Sequence, residues 1–184
     1  VSAEADAVGI SPIPFTTAEA DATANATTKA SGIVSFGDVA ITNRSVVLVS
    51  ANSPGSGNEA EADAPSFGVE FSNANSIAMA TSSATASGIN AIGESVAPGS
   101  TAVIDNDGMI NVRARSDSES DGPAIAESIF APIPTSLTVE ATSTINALST
   151  ADAEGIHVSQ LGSQVTNTGN ILVMAVADAE ADAF

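Results

Sequence analysis

The stretch Ile171-Leu-Val173-Met-Ala175-Val-Ala177-Asp-Ala179-Glu-Ala181-Asp-Ala183 constrains the fold most, because every odd position in it is apolar. A period of two marks an extended strand with one buried face, whereas a helix sets its apolar residues three and four apart. Alanine is the best helix former, so propensity alone points the other way. The alternation recurs too often for propensity to decide. Ala3, Ala5 and Ala7 precede Gly9-Ile10, and Ala18 through Ala26 with Ala30 precede Gly32-Ile33. Ala84 and Ala86 precede Gly88-Ile89, and Ala151 and Ala153 precede Gly155-Ile156. Each run is therefore read as a strand that closes on a glycine and a branched apolar residue.

A second unit, apolar-x-Asn-x-Gly-x-Ile-x-Val-x-Ala, is clearest from Ile104 to Ala114 and from Val165 to Ala175, with weaker copies beginning at Ile41, Phe71 and Val139. Successive starts lie 30, 33, 35 and 26 residues apart, the irregular spacing of an array whose loops vary while its strands keep register. Homologous positions recur in the same order, which rewards parallel stacking of Asn on Asn and Ile on Ile more than a hairpin-built sandwich. The expected fold is an all-β parallel β-helix, a β-solenoid of about six coils of roughly 30 residues, forming one domain over residues 1–184. Roughly a fifth of the chain is Ala, so the interior must be narrow. Asn and Gly tolerate the left-handed backbone, which is the expected use of the Asn-x-Gly corners. Pro12, Pro14, Pro132 and Pro134 read as bends outside the ladder, with longer excursions at 52–58, 91–100 and 157–163.

Charge narrows the functions. Twenty-two acids face only Lys29, Arg44, Arg113 and Arg115, a net charge of −18. Nucleic-acid backbones and anionic membranes both require clustered Lys and Arg, so neither is an expected partner. Absence of Cys removes disulfides and thiolate chemistry, and no apolar run is long enough for a membrane-spanning helix.

Asn-x-Gly-x-Ile-x-Val followed by Ala-x-Ala-x-Gly-Ile resembles the repeat regions of large secreted right-handed β-helix proteins of microbes. The nearest likeness is to passenger regions of autotransporter and filamentous-haemagglutinin-type adhesins, and to extracellular filament or sheath proteins. The chain departs from those adhesins in its alanine content and lacks an Arg-Gly-Asp tripeptide and a helical cap. The resemblance implies a right-handed coil and an extracellular or cell-surface location. It also implies a structural filament role, or alternatively the stalk or binding module of an adhesin with a glycan or cell-surface partner, and it carries over no catalytic residues. A polysaccharide-degrading β-helix enzyme is the remote alternative, its only candidate group being Arg113, Arg115, Asp117 and Glu119.

Two sets of residues stand out as candidate sites. Stacked strands bring carboxylates about 5 Å apart, where they repel. Glu4, Asp6, Asp152, Glu154, Asp178, Glu180 and Asp182 are therefore either a calcium-binding ladder or a solvated face that keeps the protein soluble. Residues 177–184 also match residues 1–8, with Ala179, Ala181 and Ala183 aligned on Ala3, Ala5 and Ala7. The ends are thus in phase, and the expectation is either a head-to-tail polymer of this chain with itself or an excerpt of a longer array. Asp105-Asn-Asp-Gly108 reads as a turn, Arg113 and Arg115 as partners of acids on an adjoining rung, and the lone His157 as a surface residue.

Overall fold

The computed structural model describes residues 2–10, 15–53, 59–68, 71–92, 101–128, 138–159 and 162–183. The proline segments read as bends lie outside these residues, as do the centres of the three long excursions. Every regular element among the described residues is a strand.

The strands form three parallel sheets. The long sheet contains β3 (Phe15–Phe36), β7 (Phe71–Ile92) and β11 (Thr138–Val158), with β7 in the middle. The short sheet contains β4 (Val39–Asn43), β8 (Ala102–Asn106) and β12 (Gln164–Asn167). The third is built from β1 (Ser2–Asp6), β2 (Gly9–Ile10), β5 (Val46–Ser53), β6 (Glu59–Gly68), β9 (Met109–Asp121), β10 (Ala124–Ser128) and β13 (Asn170–Asp182). The chain visits these sheets in the same order on each pass, so like residues lie in columns. Ile33 faces Ile89 and Ile89 faces Ile156; Ile41, Ile104 and Val165 align; Val49, Val112 and Val173 align.

Register corrects the expected period. Asn43 and Asn106 stack across 63 residues, and Asn106 and Asn167 across 61, so strands do not pair at a spacing of about 30. The long and short sheets each stack three strands, and the third sheet stacks four where β1, β6, β9 and β13 run side by side. The copies at Ile41, Ile104 and Val165 belong to one column on the short sheet, while those at Phe71 and Val139 begin on the long sheet. In the Phe71 copy the motif positions Asn73, Asn75, Ile77 and Met79 alternate with the buried face instead of forming it. Ser72, Ala74, Ser76, Ala78 and Ala80 fill the interior, and Met79 stands 44% exposed outside.

The interior is as narrow as the alanines require. One core cluster consists only of alanines, from β3, β6 and β7, with Ile145 against it. The other, at the short-sheet corner, holds the largest fully buried aliphatic side chains, Ile89, Ile104, Ile110 and Val112. At the waist between the clusters, hydroxyls of opposing sheets meet directly. Ser82 donates to Ser53 at 2.8 Å, and Ser116 donates to Ser82 at 2.8 Å. A buried hydroxyl costs free energy unless it is paired, and these pair with one another across the gap.

Glycines mark the tightest contacts. Inward-facing positions switch parity at Gly88, from Ala84 and Ala86 before it to Ile89 and Ala91 after it, which carries the buried face around a bend. A Cβ on Gly88 would lie 2.5 Å from the Gly155 carbonyl oxygen and 2.6 Å from Ile110 Cγ2. At the Asn-x-Gly corners the expected left-handed backbone is absent, since among the described residues only Gly37 and Gly162 have positive φ. Gly108 and Gly169 are needed for closeness instead: a Cβ on Gly108 would fall on the Ser45 carbonyl oxygen, and one on Gly169 on that of Gly108.

This packing separates two glycine substitutions. Gly88→Ala presses on a backbone oxygen in the middle of the stack and should destabilise by about 3 kcal/mol, the upper end of overpacking effects. Gly155→Ala meets only side chains, those of Ile171 and Val173 at the outermost level, which can move, and should cost about 1 kcal/mol. Urea unfolding of the two variants measures the difference, and equal losses would refute the close-approach account.

Candidate functional site

The third sheet gathers most of the acids. β1 supplies Glu4 and Asp6, β6 supplies Glu59, Glu61 and Asp63, the ends of β9 and β13 supply three each, and β10 supplies Glu127. Glu4, Glu61, Asp121 and Asp182 form one column. Glu59, Glu119 and Glu180 form a second, with Ser2 beneath it, and Asp6 faces Asp63. Asp178 faces Asp117.

Asp152 and Glu154 do not join them. They lie on β11 of the long sheet, facing Thr85 and Ser87, with Lys29 and Ser31 one level further. The middle members of the columns, Glu61, Glu119 and Asp121, could be found only from a register of about 60 residues, which the apparent 30-residue repeat concealed.

The columns are electrostatically loaded. Partial loss of solvent, then the carboxylates of Asp63, Glu4, Glu59 and Asp121, hold Glu61 above the ordinary value of 4.5. Glu119 is raised in the same way, by loss of solvent and then by Asp121, Glu59, Glu180 and Asp182. The carboxylates stand in single file, and no group of three or more His, Cys, Asp or Glu among the described residues converges as a metal would require.

Arg115 meets an acid of its own strand, with Nε donating to Asp117 Oδ2 at 2.9 Å, and not one on an adjoining rung as expected. Arg113 stands beside a cavity of about 310 Å³ on the same outer face, lined also by Ser50, Asn52, Met174 and Val176. His157 is exposed, its Nδ1 3.4 Å from Glu154 Oε2. The Asp105–Gly108 segment is the middle corner of the Asn column, as the turn reading expected.

The two ends of the stack differ. In the lower levels the inward aliphatics are covered: Ile41 is 8% exposed, Val49 6%, Ile104 1%, and Ile110 and Val112 0%. Their counterparts in the outermost level, Val165, Ile171 and Val173, are 48%, 39% and 42% exposed. Ala3 and Ala5 pair with Ala60 and Ala62, and together with Ala7 pack on the alanine core. Ala179 and Ala181 pair with Ser118 and Ser120, and Ala183 follows the strand. Sequence similarity aligns Glu180 with Glu4, but the columns place Glu180 over Ser2 and Asp182 over Glu4. The shift of two residues preserves which face is buried, so alternation masks it.

No protein-family model, curated protein or solved structure matches the chain.

The raised values of Glu61 and Glu119 fix a sign. The folded state holds these two protons more tightly than the unfolded chain, so their contribution to stability is complete below the unfolded value and is lost as pH rises through the folded one. Melting temperature should therefore fall as pH increases from about 4.5 toward neutrality. Glu61→Gln should raise the melting temperature at neutral pH and flatten the slope, and circular dichroism melts across this range would show otherwise if the columns were unstrained.

Proposed function

We propose that this chain is a right-handed parallel β-solenoid with a structural role, a unit of an extracellular filament or sheath that grows by stacking one copy on the next, head to tail. The observation that carries the reading is the uncovered outermost level. Val165, Ile171 and Val173 sit in columns whose other members are nearly sealed, so burying them needs only another level of the same pattern. The level of a second copy that carries Ile41, Val47 and Val49 supplies that pattern, with its β1 giving up the place beneath β6 to the end of β13. Parallel strands at an open edge also present unpaired N–H and C=O groups, which a further strand satisfies by continuing the ladder. The acid columns then serve as a solvated exterior whose repulsion limits sideways association. The extracellular placement rests on the resemblance to secreted β-helix proteins.

Electron microscopy of the purified chain tests this reading. Filaments are expected with an axial rise of about 14 Å per copy, three levels at about 4.8 Å each. The double substitution Ile171→Asp with Val173→Asp should leave the chain folded and abolish the filaments, because it places charges in the contact. Monodisperse single copies of the unsubstituted chain at all concentrations would sink the proposal.

A further inference from the structure

We propose that a cavity on the outer face of the third sheet, where Asp6 and Asp63 meet a row of apolar side chains, binds a primary ammonium ion carried on a short apolar stem. All its residues belong to one copy, so the site does not depend on the filament reading. The outward positions of β6 continue the acid columns as far as Asp63, and there the pattern changes. Glu61 faces Glu4 on one side and Asp121 on the other. Asp63 faces Asp6 on one side, but the pairing of Glu61 with Asp121 and of Ala64 with Ala124 puts Pro123 on its other side. Two residues further along, Pro65 faces Ile125, and the pairing of Gly9 with Ser66 puts Val8 on the other side. Between the carboxylates and this apolar row lies a cavity of about 240 Å³ lined by Asp6, Val8, Asp63, Pro65, Pro123 and Ile125.

The two carboxylates are not equivalent. Asp6 is exposed, whereas Asp63 Oδ1 is sealed from solvent and has no hydrogen-bond partner among the described residues. Proline has no N–H, so Pro123 cannot supply the missing donor. The neighbouring amides are used elsewhere: Ala7 N–H donates to the Asp63 carbonyl at 2.9 Å, and Ala64 N–H to the Pro123 carbonyl at 3.3 Å. A carboxylate oxygen shut away from water without a donor costs free energy that a bound cation recovers. The χ2 torsion of aspartate is broad, so a modest turn brings this oxygen to a cation in the cavity. The surroundings select the kind of cation. Calcium takes about six to eight oxygens, and here two carboxylates stand among apolar walls. An ammonium group has three donors, enough to reach both carboxylates. A stem behind it would cover Val8 and Ile125, which stand 64% and 48% exposed.

The test titrates the 184-residue chain, below its assembly concentration, with methylammonium and butylammonium, following the methyl signals of Val8 and Ile125 by NMR. Salt at about 0.15 M screens the diffuse attraction of the acid columns. Butylammonium should bind saturably and about tenfold more tightly than methylammonium. Asp63→Asn should weaken it about tenfold, while Glu19→Gln, which removes an exposed charge from the long sheet, should leave it unchanged. Ile125→Ser keeps both carboxylates and should abolish the preference for the longer stem, and melting curves show that each variant is folded. Nα-acetyl-lysine methylamide binding as tightly as butylammonium would identify the ligand as a lysine side chain, and its exclusion would identify a free amine; both outcomes keep the site. Equal affinity for the two amines, or equal weakening by Asp63→Asn and Glu19→Gln, would reduce the cavity to a patch of negative charge and overturn the proposal.

Discussion

The distance between stacked strands governs this molecule. Levels joined by backbone hydrogen bonds lie about 4.8 Å apart, so whatever stands at one position must tolerate its counterpart directly above and below. Residues that gain from that proximity repeat in columns, as Ile33, Ile89 and Ile156 do through contact, or Asn43, Asn106 and Asn167 through their amides. Where the backbone itself bends between levels, only glycine fits, and Gly88 and Gly108 are fixed by the carbonyl of a neighbouring level rather than by a left-handed conformation. The same constraint acts across the interior. Two sheets close enough for Ser82 to bond both Ser53 and Ser116 leave space for methyl groups, which is what the alanine cluster supplies.

Strand identity and buried parity were legible because alternation is local: Ala18, Ala20, Ala22 and Ala24 need no distant information to declare one face. The period was not. Columns require a spacing near 60, but each level crosses two long sheet segments with similar composition, and their resemblance to one another creates the apparent 30-residue repeat. Phe71 shows how this misleads. Asn73 and Asn75 imitate the corner asparagines, yet they sit one residue out of phase with the buried face, and Ser76 and Ala78 point inward. A motif match cannot see a parity error of one, and only the pairing of Ala74 with Ala18 and Ala141 resolves it.

The acidic site was legible in kind and not in membership. Alternation placed Asp and Glu between alanines, but the face that collects them is decided by which strands share a sheet. Asp152 and Glu154 have the local pattern of Asp178 and Glu180 and still finish on the other sheet, near Lys29. Glu61 and Glu119, the two carboxylates with raised values, belong to columns whose neighbours come from three different passes of the chain. Asp63 beside Glu61 and Asp121 beside Glu119 are legible in the sequence, whereas the repulsion from Glu4 and Glu180 depends on register and leaves no trace in any short stretch.

A fold that bonds level to level has no intrinsic stopping point, because every level ends in the donors and acceptors the next one uses. What differs from level to level among the described residues is how far the apolar columns are covered. The outermost level keeps the repeat unchanged, with Val173 in the place of Val112 and Asn167 in the place of Asn106, and so remains receptive. The level of β4 and β5 carries Ser45 where the two above it carry Gly108 and Gly169. Ile41 and Val49 are covered while Val165 and Val173 in the same columns are not, and that difference in burial gives the stack a direction.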